Sequence, residues 1–346
     1  MGKRILIVRT DRVGDVVMIT PIVREIKKTF PDSFVATLTQ PYTSKILINN
    51  HYVDKILTDD LKKETFWKVV KKLRKFKFTD GLLVMSRERA AYQMFLAGVK
   101  NRIGVGHKLY EVITLMKSVS RNKYIPLRHE ADYSMDLARK IGIKSNNLTP
   151  EIFPTENEIL WGKEFLENIN VQHDDFKIII HTGSGDSSPN WSEEKYFELI
   201  TNILREHNQK YLKILLTARE MSATFLEKID QLNEERIVNI SGKVDDLRNL
   251  IKVISNINLL VTSSTGPIHL ASALGIRTIG LYCKRPMDCA KKWGALGINA
   301  INVEVSKEHC DNHCSEDKKK CDIENGIEMN EITELIKMEI TKQQKI

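Results

Sequence analysis

The chain has 346 residues, enough for two domains of ordinary size. Its 42% hydrophobic and 28% charged content fall in the soluble globular range, and no apolar run approaches the roughly 20 residues of a membrane span. The net charge of +8 hides an asymmetry, because residues 1–150 carry a balance of +15 and the remainder −7.

A basic first half points to an anionic partner: nucleic acid, phosphorylated lipid or an anionic membrane surface. The plainer alternative is a solvated surface, since much of the excess lies in the run 62–77, patterned as an amphipathic helix. Arg4 to Val8 runs directly into Arg9, Asp11, Arg12 and Asp15, which is a strand and its loop rather than the core of a signal peptide, so a cytoplasmic protein is expected.

Residues 4–8 form a continuous apolar run of the kind a buried parallel strand shows. The loop 9–14 follows, then Asp15 and an apolar-periodic segment to Phe30. Thr20-Pro21 allows two readings: a helix opening near Asp15 and disturbed at Pro21, or a helix capped by Thr20 with Pro21 in its first turn. Strand 33–38, helix 42–50 and a strand near 53–57 come next. Helix 62–75, strand 80–85, helix 90–98 and a short strand at 101–104 repeat the pattern. The stretch 106–127 reads as a loop, and 130–141 as a helix with His129, Asp132 and Tyr133 near its start. Alternating strands and helices predict an open, mostly parallel sheet.

The segment 150–154 reads as a linker, and after helix 156–168 a second series begins. It comprises strand 177–181, loop 182–190, helix 192–207, strand 213–217, helix 221–233, strand 237–240 and helix 244–255. Strand 258–262, the helix ending at Gly275 and strand 278–282 follow, and the last helix covers about 330–342. The expected organisation is two α/β, doubly wound domains facing a central cleft: residues 1–150, residues 151–329, and a C-terminal helix and tail at 330–346.

In such sheets ligands bind beyond the carboxyl ends of the strands. Residues 263–275, a turn of small hydroxyl residues and one glycine opening a helix, suit an anion, because backbone N–H groups and the positive helix end converge there. A merely well-capped turn would look the same. The loop Thr182, Gly183, Ser184, Gly185 lies at the same expected sheet edge, and Glu220 follows a third strand. Together these make a candidate nucleotide diphosphate site, with the loop amides on phosphates and Glu220 on ribose hydroxyls. His269 reads either as a phosphate donor or as a packed histidine. Asp15 reads either as a helix cap or as a general base.

The five cysteines do not form a secreted disulfide framework. Cys310, Cys314 and Cys321, beside His309 and His313, follow a C-x3-C-x6-C spacing without paired C-x2-C knuckles or an obvious fourth ligand. They read more readily as reduced loop cysteines than as a metal site.

Taken together, these residues resemble glycosyltransferase family 9, the bacterial lipopolysaccharide heptosyltransferases. The resemblance covers nearly the whole chain and rests on residues 5–9, Val13-Gly14-Asp15-Val16-Val17 and Thr20-Pro21 near the start and residues 264–275 near the end. The stretch 181–184 with Trp191 occupies a looser middle motif. The resemblance implies a GT-B architecture of two Rossmann-like domains, with acceptor on the first and nucleotide sugar on the second. It implies inverting transfer without metal or other cofactor, usually from ADP-heptose to the lipid A inner core. The implied partners are a nucleotide sugar and an anionic glycolipid, with peripheral attachment to the inner membrane surface and no nucleic acid.

By the same resemblance the catalytic base falls on Asp15, and the diphosphate loops on Thr182 with Ser184 and on Thr265, Gly266 and His269. The ribose carboxylate falls on Glu220, and Arg9, Arg12 and Arg87 are candidate acceptor contacts. Two positions depart from the family's usual pattern. Asn190 stands where many members have a lysine that neutralises the diphosphate, leaving Lys195, Arg219 or Lys243 for that task. Ser264 stands where an aspartate is common. The competing readings are another nucleotide-sugar enzyme of GT-B type, an epimerase included, and a non-enzymatic anion-binding protein. A dinucleotide-dependent dehydrogenase is disfavoured, because the turn 9–15 holds one glycine and no G-x-G-x-x-G.

Overall fold

A computed structural model describes residues 2–106, 108–121, 124–185, 188–207, 211–314 and 321–343. The chain divides into two compact units, Met1–Phe153 and Pro154–Ile346.

In the first unit the apolar runs pair as parallel strands: β1 (Arg4–Val8), β2 (Phe34–Thr39), β3 (Lys55–Thr58), β4 (Asp80–Leu83), β5 (Asn101–Val105) and β6 (Lys117–Val119). Their order in the sheet is β3-β2-β1-β4-β5-β6. Ile5, Leu6, Ile7 and Val8 are wholly buried because helices cover both faces of a parallel sheet. Helix Thr20–Thr29 turns Ile22, Val23 and Ile26 inward, and helix Phe66–Arg74 turns in Val69, Val70 and Leu73.

Three details depart from the sequence reading. The segment after β1 forms two helices, Val13–Val17 and Thr20–Thr29, and both readings of Thr20-Pro21 hold in part. A helix does open before Asp15, a second begins with Pro21 in its first turn, and the Thr20 hydroxyl donates to the Val17 carbonyl at 2.8 Å. The helix expected at 42–50 shrinks to a 3₁₀ turn, Thr43–Leu47. The stretch 106–127, read as a loop, contains helix Leu109–Ile113 and the sixth strand; its residues 107, 122 and 123 lie outside the described residues. A three-residue Lys-Ser-Val strand is too short and too polar to show a period.

The second unit repeats the plan with β7 (Phe176–His181), β8 (Leu212–Thr217), β9 (Ile237–Asn239), β10 (Leu259–Ser263), β11 (Arg277–Tyr282) and β12 (Ala300–Glu304). All pairs are parallel, in the order β12-β11-β10-β7-β8-β9. β12 adds a strand to those expected from the sequence. The final helix, Met329–Gln343, packs Ile332, Ile336 and Ile340 into this unit's core.

In both units the first strand is central, and the chain moves outward on one side before returning to the other. That reversal falls between β1 and β4, and between β7 and β10. Loops leaving such a pair diverge to opposite faces, which opens a crevice at the carboxyl ends. Among the described residues no helix is long and apolar enough to cross a membrane.

Gly280, inside β11, sets how closely helix Gly266–Ala273 lies on the sheet. A Cβ there would overlap the Ile268 side chain and come within 2.6 Å of the Tyr282 ring. Gly280→Ala should therefore cost about 1–3 kcal/mol by overpacking, read as a lower urea midpoint with an unchanged slope. An unchanged midpoint would mean that the helix can lift without loss.

Candidate active site

In the second unit three neighbouring strands end on one rung: Thr262 of β10 pairs with His181 of β7, which pairs with Thr217 of β8. The loops beginning at Ser264, Thr182 and Ala218 therefore emerge side by side, about 4.8 Å apart per strand. Polar contacts lock this rung. The Thr262 hydroxyl donates to the His181 carbonyl at 2.9 Å and meets the Thr265 hydroxyl at 3.2 Å. His181 Nδ1 lies 2.9 Å from the Thr217 hydroxyl. Burial lowers the His181 pKa to about 4, so the ring is neutral near pH 7 and braces the rung without adding charge.

Above the rung the groups suit an anion. Thr265 is the N-cap of helix Gly266–Ala273 but makes no side-chain cap, which leaves the first-turn N–H groups to another acceptor. The buried Thr182 hydroxyl has no hydrogen-bond partner among the described residues. Gly185 adopts φ +54°, a left-handed conformation that glycine takes without strain. His269 is buried in the helix's first turn, and Ser264, Gly266, Gly183 and Ser184 are half-buried.

Asn190 is fully used as a brace. Its Nδ2 donates to the Thr182 carbonyl at 2.6 Å, and its Oδ1 accepts from Tyr196 at 2.9 Å. Trp191, 2% exposed, packs edge-on against Tyr196 and is a core residue. Of the candidate cations, Lys195 sits 3.5 Å from Glu198 on its own helix, Glu193–Glu206. Arg219 and Lys243 are exposed on the loops after β8 and β9, as is Glu220 after β8.

In the first unit the reversal point is built around Arg9, which is 4% exposed. Its guanidinium donates to Asp11 at 2.9 Å, to the Val84 carbonyl at 2.9 Å and to Asp15 Oδ1, and lies 3.5 Å from Glu130. Arg9, expected among the acceptor contacts, is therefore buried and committed to holding the Asp15 carboxylate. Burial acts to lower its pKa, but Asp15, Asp11 and Glu130 outweigh that and hold it above its ordinary value. Arg121 braces Glu130 from the other side at 3.0 Å. Arg12 and Arg87 are exposed at the carboxyl ends of β1 and β4. His129 caps helix Glu130–Arg139, accepting from the Ala131 N–H at 3.1 Å.

The model of glycosyltransferase family 9 (heptosyltransferase) matches residues 66–322. The chain belongs to this family. A lipopolysaccharide core heptosyltransferase of Haemophilus influenzae, OpsX, is 25% identical over 287 residues, covering 81% of this chain and 79% of its own. Among solved structures, a family 9 glycosyltransferase from Veillonella parvula superposes with a TM-score of 0.80 at 19% identity, covering 98% of each chain. The E. coli ADP-heptose lipopolysaccharide heptosyltransferase II gives 0.77 at 15% identity over 99% of each. These likenesses show the fold, two Rossmann-like units of the GT-B class, and the family makes the chain a heptosyltransferase-like glycosyltransferase.

For this family 9 member, the structure gathers Thr182–Gly185, Glu220 and Ser264–Gly266 at one sheet edge, as the spacing of the motifs anticipated. The braces escaped sequence reasoning. Asn190, Tyr196, Thr217 and Thr262 contribute ordinary polar side chains without a motif, and Glu130 lies over 100 residues from its partner Arg9. Cys310, Cys314 and Cys321 gather near the carboxyl end of β11, around Cys283.

Two carboxylates sharing one buried guanidinium have a measurable consequence. Burial pushes Asp11 up to about 6, with Arg9 opposing this and the charge of Asp15 adding to it. A carboxyl whose folded pKa is raised favours the folded state while protonated, so stability falls as pH rises from about 4 to about 6. Asp11→Asn should flatten that fall by roughly 1–2 kcal/mol in urea unfolding at the two ends of the window. An identical slope in both proteins would remove Asp11 as its source.

Proposed function

We propose that this enzyme transfers a heptose, or a related sugar, from an ADP-sugar to the core of a lipopolysaccharide or lipooligosaccharide, with inversion at the anomeric carbon. The observation that supports the reading is the rung of three loops in the second unit, where a helix N-terminus without a side-chain cap and a buried hydroxyl without a partner among the described residues suit an anion. The Asp15 carboxylate, oriented by a buried arginine, supplies the matching base in the first unit. The curated relative OpsX is named for lipopolysaccharide core heptosyl transfer, and this chain's basic first half suits an anionic glycolipid at a membrane surface. The partners in this reading are the nucleotide sugar and that glycolipid, in a cytoplasmic protein peripheral to the membrane, with no part for nucleic acid.

In the transfer, Asp15 takes the proton of an acceptor hydroxyl through Oδ2, because Oδ1 is held by Arg9. The acceptor oxygen then bonds to the anomeric carbon from the face opposite the diphosphate, and ADP leaves with the electron pair of the broken C–O bond. Negative charge grows on the leaving phosphate. Backbone N–H groups of 183–185 and 265–266 and the helix dipole meet it without need of a metal. Arg219 and Lys243, exposed on the loops after β8 and β9, add to this in the reading, since Lys195 already faces Glu198. Glu220 holds the ribose hydroxyls, and Arg12 and Arg87 meet anionic groups of the acceptor.

The decisive variant is Asp15→Asn, which keeps the shape and removes the base. Transfer, followed by mass spectrometry of the glycolipid, should fall about 10²–10⁴-fold. The thermal shift given by ADP-sugars, expected to exceed that of GDP- or UDP-sugars, should persist in the variant. Transfer near the wild-type rate would sink the assignment of Asp15. Conversion of the nucleotide sugar without any acceptor would instead make the protein an epimerase.

A further inference from the structure

Four of the five cysteines come from three separate stretches of the second unit and meet. Cys283 directly follows β11. Cys310 and Cys314, four apart, lie on and at the end of helix Lys307–His313, and Cys321 stands two residues before helix Ile323–Gly326. The Cys321 sulfur is 2.9 Å from that of Cys283 and 3.2 Å from that of Cys314, and the Cys310 thiol contacts those of both Cys283 and Cys314. Every cysteine is a free thiol, and these separations are well beyond the ~2.05 Å of a disulfide. The ligand atoms of Cys283, Cys314 and Cys321 all lie within 4.8 Å of one another.

A tetrahedral ion bound to four sulfurs at ~2.3 Å requires sulfur–sulfur edges of about 3.8 Å, so Cys283, Cys314 and Cys321 would move slightly apart while Cys310, outside that group of three, would close in. The surroundings suit such an ion. The cluster rests on the apolar core through Cys310 and Cys321, and the Arg285 backbone N–H donates to the Cys283 sulfur at 3.5 Å. The neighbouring histidines are turned to other work. His309 Nε2 lies 2.7 Å from the Asp322 carbonyl, and His313 Nδ1 lies 3.2 Å from the His309 carbonyl. Reduced cysteines that merely fill a core scatter as small apolar residues do. Four thiols collected from three chain segments are what a closed structural site looks like.

We propose that Cys283, Cys310, Cys314 and Cys321 bind one zinc ion as a closed, structural tetrathiolate site. No coordination position is left open, so the ion takes no part in sugar transfer, and this proposal stands whether or not the proposed reaction is right. Its role follows from what Cys321 leads into. The next residues form a strap across the loop that carries Trp191. The Ile323 carbonyl accepts from the Trp191 indole at 3.4 Å, and the Glu324 carboxylate accepts from the Ser192 N–H at 3.0 Å and its hydroxyl at 2.9 Å. The ion would thus tie the end of β11 to the segment that fastens the start of helix Glu193–Glu206.

The test uses the full chain, purified without chelator and exposed to zinc before desalting. Elemental analysis should give about one zinc per chain, and a thiol reagent should find four fewer reactive cysteines than after chelator treatment. Cys283→Ser and Cys321→Ser should lose the zinc, and the wild-type Tm should fall by about 5–15 °C on chelation. Should those variants fail to fold, cobalt added to the chelated wild-type chain keeps the idea testable. The absorption bands of tetrahedral cobalt thiolate should appear and saturate at about one equivalent. Wild-type protein holding no metal after zinc exposure would overturn the proposal, as would full zinc retention in Cys283→Ser. One equivalent of iron in place of zinc would overturn the choice of ion.

Discussion

The structure depends on one constraint of parallel sheets. Each parallel neighbour must be reached by a crossover, and a sheet wound outward from a central strand has one place where the direction of winding reverses. The chain meets this constraint twice, at β1/β4 and at β7/β10. At those points the strands still pair, but the loops leaving their carboxyl ends diverge to opposite faces and leave a crevice. The residues assigned to chemistry stand at the carboxyl edges of the two sheets around these points. Asp15 follows β1, the Thr182 loop follows β7 and the Ser264 turn follows β10. Topology thus chose the places, and side chains had only to furnish them.

The furnishing differs between the two halves for a physical reason. In the second unit the brace is neutral: hydroxyls, an amide and an uncharged imidazole, His181, hold the rung while leaving the site's field to the backbone amides. A carboxylate buried there would repel any anion brought to the loops, and the neutral brace avoids that. In the first unit the brace is ionic. Arg9 is buried among three carboxylates, which is tolerable because each has a hydrogen bond to it or a second cation nearby, as Glu130 has Arg121. A carboxylate intended as a base gains orientation from this arrangement, since a fixed Oδ1 determines where Oδ2 points.

Much of this was readable from the chain. The uninterrupted apolar runs of β1, β7 and β10, each followed by small or acidic residues, located the sheet edges and the loops upon them. Two strands, β6 and β12, were not readable. Lys117–Val119 has three residues and two of them polar, and Ala300–Glu304 leaves only Val303 deeply buried, so neither shows a period that marks a strand. Arg9 was misplaced because a sequence shows charge but not burial: an arginine beside a basic surface reads as part of it. The partners Glu130 and Cys283 were invisible for a related reason. Each is an ordinary residue far along the chain from what it touches, and only the packing of helices and loops against the sheet ends brings the contact about.

Asn190 shows how a departure from a family's pattern can be absorbed. A lysine at that position would put a cation near the loop, whereas the asparagine spends both ends of its amide on the Thr182 carbonyl and the Tyr196 hydroxyl. The loop is held by neutral hydrogen bonds at this position. A loop held still presents its N–H groups in one geometry, and preorganised dipoles stabilise a developing anion without reorganising as it forms. They do not supply the long-range attraction of a full charge, so a cation on a neighbouring loop becomes the more valuable. Arg219 and Lys243 are exposed on the loops after β8 and β9, on the side of the rung away from β10. The same economy accounts for the strap at Ile323 and Glu324, which steadies the start of the helix that Asn190 precedes.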